Sequence, residues 1–105
     1  MVQDKRFAIR KPVCVDVIVN HELDYTGLWK TKNLSLNGAF VEMPGEDLAL
    51  QAEVEAILAL TDRDRLERHH VTARVVRAGP DGIALMFRDY GNHTYTALAR
   101  LLYAE

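Results

Sequence analysis

The stretch Asn33-Leu34-Ser35-Leu36-Asn37-Gly38 lies between two strand-like runs, Leu28 to Asn33 and Ala39 to Met43, and decides how they connect. Asn37-Gly38 is a tight-turn signal, because both residues tolerate positive φ and a hairpin turn of the primed type needs it. The two runs are therefore expected to form a hairpin. Leu34 and Leu36 alternate with Asn33 and Ser35, which sends the leucines to a core and leaves the two polar side chains on the other face. Short Asn and Ser side chains bond nearby backbone or an incoming polar ligand. An amide, a hydroxyl and the open backbone of a glycine at one strand end suit a polar, flat or anionic ligand.

The pattern extends outward in both directions. Upstream, Pro12 opens a strand in which Val13, Val15, Val17 and Val19 alternate with Cys14, Asp16, Ile18 and Asn20. Residues 1–11 are polar, with basic Lys5, Arg6, Arg10 and Lys11, and are expected to form a flexible arm. Asn20 to Gly27 reads as a turn region. Downstream, Pro44-Gly45-Glu46-Asp47 is a loop. Glu53 to Leu60 reads as a strand, because its strict alternation outweighs the helix propensity of its Ala, Glu and Leu residues. Thr61 to Arg68 reads as a charged, solvated loop, and His70 to Arg77 as a strand. Gly79-Pro80-Asp81-Gly82 is a turn leading to a last strand, Ile83 to Phe87. Asp89 to Asn92 breaks the pattern and can cap a helix over 91–103. In that helix Thr94, Tyr95, Leu98, Leu101 and Leu102 recur at helical spacing, and Tyr90 and Tyr95 are expected to anchor it. The expected fold is mainly all-β: one domain over 1–105, with a small six-stranded antiparallel β-barrel over 12–88 and a C-terminal α-helix. Closing the sheet is the economical way to remove exposed strand edges in so short a chain.

Composition narrows the function. The chain has 105 residues, 49% hydrophobic and 27% charged, enough to bury one core. A net charge of −2 provides no global basic field, which argues against a DNA- or RNA-binding barrel. The single Cys14 excludes an internal disulfide and a multi-cysteine zinc site, and it has no visible base partner. No apolar run reaches the length of a membrane span and the start is not signal-like, so no membrane insertion and a cytoplasmic location are expected. His69 and His70 are adjacent and point to opposite faces of a strand, so they do not share a metal; a solvent-facing, strand-edge role is expected and no metal site is predicted. No nucleophile–base pair or carboxylate dyad is present, so no catalytic residues are assigned and the chain is not expected to be an enzyme. Trp29 is a candidate for core or for a partner-binding patch.

A second motif precedes the first strand: Arg6-Phe7-Ala8-Ile9-Arg10, two arginines four apart. In an extended chain such residues project to one side. Guanidinium forks bind phosphate or the O6/N7 edge of guanine, each such pair contributing about 1–3 kcal/mol. Taken singly, this segment also fits a solvated basic tail, and Asn33 to Gly38 also fits an ordinary hairpin turn. In combination, R-x-x-x-R before the first strand and N-x-S-x-x-G between the next two resemble the PilZ domain family. Ala73-Arg74-Val75-Val76-Arg77 followed by Gly82-Ile83-Ala84-Leu85-Met86-Phe87 looks like that family's last two barrel strands, so the resemblance covers nearly the whole chain.

The resemblance implies a six-stranded antiparallel barrel that binds cyclic di-GMP, a bacterial second messenger, with no cofactor. Arg6 and Arg10 would hold guanine edges and phosphates, and Asn33 and Ser35 would bond guanine and phosphate groups. Gly38 would admit close backbone approach, and Arg77 could also reach the ligand face. The chain departs from the family's commoner pattern in having Asn33 for Asp, Lys5 for Arg before the first motif arginine, and Ala84 for a second glycine. Members that lack the arginines do not bind the nucleotide, whereas this chain keeps them. The expected role is a receptor or adaptor that relays cyclic di-GMP to an effector protein in motility, biofilm or exopolysaccharide control. The alternative is a PilZ-like interaction module that binds no nucleotide.

Overall fold

The computed structural model describes residues 11–21, 25–45 and 48–103. Six strands and one helix follow in chain order: β1 (Asp16–His21), β2 (Tyr25–Leu34), β3 (Gly38–Glu42), β4 (Glu53–Asp62), β5 (Arg65–Gly79), β6 (Gly82–Asp89) and α1 (Asn92–Tyr103). Every pairing is antiparallel. The strands close into a barrel in the order β1-β2-β3-β6-β5-β4, as the alternation implied. β1 makes the closure, with Val17 opposite Trp29 on β2 and opposite Leu58 on β4. Among the described residues no helix is long and apolar enough to cross a membrane.

The period-two pattern fills the interior. Val17, Val19, Leu34, Val41, Leu58, Leu60, Val71, Val75, Ile83 and Leu85 are all buried. Each such side chain gains about 1.5–3 kcal/mol on leaving water, which drives closure. α1 lies across the barrel with Thr94, Ala97, Leu98 and Leu102 buried, a stripe at helical spacing. Arg100 Nη1 donates to both carboxylate oxygens of Asp62 at 3.0 Å, tying the helix to the end of β4. Gly91 takes the capping position, its carbonyl accepting from Tyr95 N at 3.0 Å.

Several expectations are corrected. The first strand begins at Asp16, not Pro12, because Thr31 replaces ladder bonds there: its hydroxyl accepts from Val15 N at 2.9 Å and donates to Val13 O at 2.8 Å. Thr61 to Arg68 is not a loop. Asp62 pairs with Arg65, and Arg63 and Asp64 form a two-residue turn at φ 53° and 66°. That is the primed turn geometry, reached here without glycine, and the charges line the exposed outer face of a hairpin. Tyr95 is exposed, one helical step off the buried stripe, so it does not anchor α1. Trp29 is half-buried and packs against the core.

Thr31 is fully buried and its hydroxyl makes both bonds to the chain before β1. Thr31→Val keeps the shape and orphans a partly buried N–H and C=O. We expect destabilisation of about 1–3 kcal/mol in urea unfolding, with the slope unchanged.

Candidate functional site

One row of side chains crosses four neighbouring strands on the outer wall of the barrel. Asn33 on β2 pairs with Phe40 on β3, Phe40 with Ala84 on β6, and Ala84 with Arg77 on β5. At about 4.8 Å per strand, Asn33 and Arg77 stand about 14 Å apart across the sheet. With Val76, these residues line a concavity of about 330 Å³. Its volume falls within the roughly 300–1,000 Å³ of small-molecule sites. A second hollow, of about 180 Å³, shares Phe40 and Arg77 and continues to the Gly79–Gly82 turn.

Two β-bulges build this wall. One lies in β2 between Thr31 and Asn33, the other in β5 between Val75 and Arg77. An extra residue at each bulge interrupts the alternation, so Lys32 and Asn33 both face out, as do Val76 and Arg77, while Leu34 returns to the core. Strict alternation from Val71, Ala73 and Val75 would send Arg77 inward. Ala84 leaves the floor shallow and Phe40 supplies a flat apolar surface. Among the described residues Arg77 has no carboxylate partner, so its guanidinium is available to an anion.

The connection between β2 and β3 is clasped internally. It is not the primed turn expected at Asn37-Gly38, since no described glycine has positive φ and Asn37 does not either. The turn closes through Ser35 instead. Ser35 N donates to Gly38 O at 2.9 Å, Ser35 Oγ donates to Asn37 Oδ1 at 2.8 Å, and Asn37 N donates back to Ser35 Oγ at 3.2 Å. Such side-chain bonds two residues apart substitute for a left-handed backbone. Ser35 and Gly38 are buried, Asn33 is half-buried, and Asn37 is exposed. Of the sequence-predicted residues, Asn33 lines the concavity, whereas Ser35 and Gly38 shape the turn beside it.

The end of β6 and the link into α1 pin the same turn. Tyr90 Oη donates to Leu36 O at 2.5 Å, Phe87 N donates to Asn37 O at 2.9 Å, and the Phe87 and Tyr90 rings meet edge to face. Burial, then the nearby Tyr95 and Tyr103, pushes the Tyr90 phenol above its ordinary range, so it remains a donor. The N-terminal segment arrives at the other side. Lys11 and Leu34 exchange two backbone hydrogen bonds, N to O at 3.0 Å each way. Lys11 Nζ lies 5.5 Å from the centre of the Tyr103 ring. Arg6 and Arg10 lie outside the described residues, as does nearly all of the arm expected over 1–11.

Sequence reasoning missed Phe40 and undervalued Arg77, because both owe their places to cross-strand register. His69 and His70 do point to opposite faces, but His69 is buried beneath α1 and is not solvent-facing; His70 is exposed, bonding Glu55 at 2.9 Å. That bond holds the Glu55 carboxyl below its ordinary range.

A model of the PilZ domain family matches residues 3–104. Among solved structures, the PilZ domain of CeSA from a cellulose-synthesising bacterium matches with a TM-score of 0.71 at 23% identity, over 90% of this chain and 95% of that one. The Bacillus subtilis inhibitor of motility MotI/DgrA matches with a TM-score of 0.71 at 18% identity, over 99% of this chain and 55% of that one. At these identities the likeness is one of fold, and this chain spans about half the length of MotI/DgrA. No curated protein matches.

Tyr90→Phe removes one hydrogen bond and leaves the ring in place. We expect a loss of about 1–2 kcal/mol, with faster amide exchange concentrated in residues 35–38, measured by hydrogen exchange on the folded protein.

Proposed function

The chain belongs to the PilZ domain family, and from that premise we propose that it is a receptor for cyclic di-GMP that relays the messenger to an effector protein. One observation carries this reading. The paired Lys11–Leu34 bonds set Lys11, the residue that follows Arg10 in sequence, against the strand end between Asn33 and Ser35, which supports a site that draws on both motifs. Physical chemistry supports the match. Two guanines and two phosphates need planar bidentate donors over a neutral polar and aromatic floor.

In this reading Arg6 and Arg10 grip guanine edges and phosphates. Asn33 offers its amide to a guanine edge, Phe40 gives a base a flat surface, and Arg77 closes the far wall on phosphate. Ser35 and Gly38 contribute through the clasped turn, whose backbone they hold at the ligand's edge. Any direct Ser35 contact with ligand requires its hydroxyl to exchange Asn37 for the nucleotide. The chemistry is recognition, with no catalytic step and no cofactor. A receptor for an intracellular nucleotide messenger works, in this reading, in the cytoplasm. One structural neighbour comes from a cellulose-synthesising bacterium and another is an inhibitor of motility, in keeping with an output in polysaccharide or motility control.

A second reading, a protein-interaction module without nucleotide, draws on the opposite wall. Ile18, Leu28, Ile57, Ala59 and Leu66, flanked by Asp16 and Arg68, line a hollow of about 130 Å³ there, and Leu28 and Leu66 are 68% and 69% exposed. An apolar surface of this kind suits a protein partner. The receptor reading uses it as the effector-facing side.

Isothermal titration with cyclic di-GMP, with GTP and cyclic AMP as controls, decides between them. Saturable, selective binding at micromolar or tighter levels is expected. Arg6→Ala, Arg10→Ala and Arg77→Ala should each weaken it roughly 10- to 150-fold, the equivalent of about 1.5–3 kcal/mol for a hydrogen bond to a charged group. Asn33→Ala should cost roughly tenfold. Unchanged affinity in both Arg6→Ala and Arg10→Ala would sink the receptor reading, and absence of binding in the wild type would favour the interaction module.

A further inference from the structure

At the other end of β5, three side chains with metal-ligating atoms meet beneath the start of α1. Glu67 and His69 are two residues apart on β5 and so share a face. His93 reaches them from the first turn of α1. Their ligand atoms all lie within 4.8 Å of one another. Glu67 Oε1 stands 2.9 Å from His93 Nε2 and 3.6 Å from His69 Nε2, and the imidazole rings stack with centroids 5.0 Å apart. The three residues come from no recognisable sequence motif; β5 and the docking of α1 bring them together.

His69 is the distinctive member. It is 3% exposed, and its Nε2 is buried without a hydrogen-bond partner. Its other nitrogen, Nδ1, lies 2.9 Å from the Thr94 hydroxyl, itself buried. If Nδ1–H donates to Thr94, the Nε2 lone pair points towards the Glu67 carboxylate, and two electron-rich atoms face each other across 3.6 Å. A cation between them removes that conflict. A histidine ligand held by a hydrogen bond from its second nitrogen is the usual way proteins orient an imidazole on a metal.

We infer that Glu67, His69 and His93 form a binding site for a divalent transition-metal ion, with Zn²⁺ the ion that the donor set fits best. Two imidazoles and one carboxylate, with a fourth position open to solvent on the His93 side, make a four-coordinate site. Neighbouring ligand atoms in such a site stand about 3.4 Å apart, given bonds of about 2.0–2.2 Å. The observed separations of 2.9 and 3.6 Å bracket that value. The widest separation, 4.8 Å, closes by rotating the exposed His93 side chain, which is 73% accessible. His69 is the fixed ligand, Thr94 orients it, and Glu67 supplies the charge. The bound ion would cross-link β5 to the first turn of α1.

The test is titration of the full chain, stripped with EDTA, with ZnCl₂ alone. One equivalent is expected to bind saturably. Glu67→Gln and His93→Ala should each weaken binding at least tenfold, consistent with loss of one of three protein ligands. His70→Ala, which disrupts the rival surface pair with Glu55, should leave it unchanged. A thermal melt supplies a second readout: Zn²⁺ should raise the midpoint of the wild type and not that of His93→Ala. His93 is exposed, so its variant should melt like the metal-free wild type. No saturable binding, wild-type affinity in Glu67→Gln and His93→Ala, or loss of binding in His70→Ala would each overturn the assignment. Nucleotide is absent throughout, so the outcome is independent of the receptor reading.

Discussion

β1 pairs with β2 along one edge and with β4 along the other, and this second pairing makes the sheet a closed surface. Closure gives every strand residue one of two destinations, a filled interior or the outer wall. The interior is occupied by side chains from all six strands, so it cannot hold a ligand. Recognition must therefore be built on the outside, where a regular strand offers only alternate positions. The bulges in β2 and β5 answer that limit. Each places two consecutive residues outward without surrendering the core residue that follows or precedes them, and together they frame the row from Asn33 to Arg77.

The turn between β2 and β3 shows a related economy. Three residues, Ser35 to Asn37, must reverse the chain beside the Asn33 concavity. A glycine-led primed turn would reverse it with few internal bonds. Here the hydroxyl of Ser35 and the amide of Asn37 satisfy one another, while Tyr90 and Phe87 hold the Leu36 and Asn37 carbonyls from below. The result is a turn whose shape is set before any ligand arrives. Preorganisation of this kind lowers the ordering cost of binding.

Much of the fold was legible because period-two alternation is a local signal. Val54, Ala56, Leu58 and Leu60 are all buried on β4, and helix propensity lost to that pattern. What escaped the sequence was set by partners distant in the chain. Thr31 replaces ladder bonds for residues 13–15, so the strand start after Pro12 was misplaced. The Arg63-Asp64 turn carries no glycine or proline, and its charged flanks resemble a loop because an outer barrel face can be as polar as one. The sequence offered Arg77 only as a residue that could reach the ligand face; its outward position depends on a bulge, which is a property of two strands. His69 was placed in solvent because nothing local announces that α1 will cover it. For the site, the motif around Asn33 was readable, but which of its residues face outward was not.

The two regions read here as binding sites lie on shared elements, and that has thermodynamic weight. β5 carries Glu67 and His69 near one end and Arg77 near the other. The link through α1 is shorter. His93 stands three residues after Tyr90, the residue whose hydroxyl holds Leu36 in the site turn. The ion inferred above, by fixing the first turn of α1, would restrain the adjacent Tyr90, and with it the backbone at the edge of the Asn33 concavity. A restraint transmitted in this way acts in both directions: whatever factor the metal adds to ligand affinity, the ligand must add to metal affinity. The coupling needs no movement of the barrel, only a turn that is tighter in one state than in the other. The Tyr90–Leu36 bond is the narrowest point on that path.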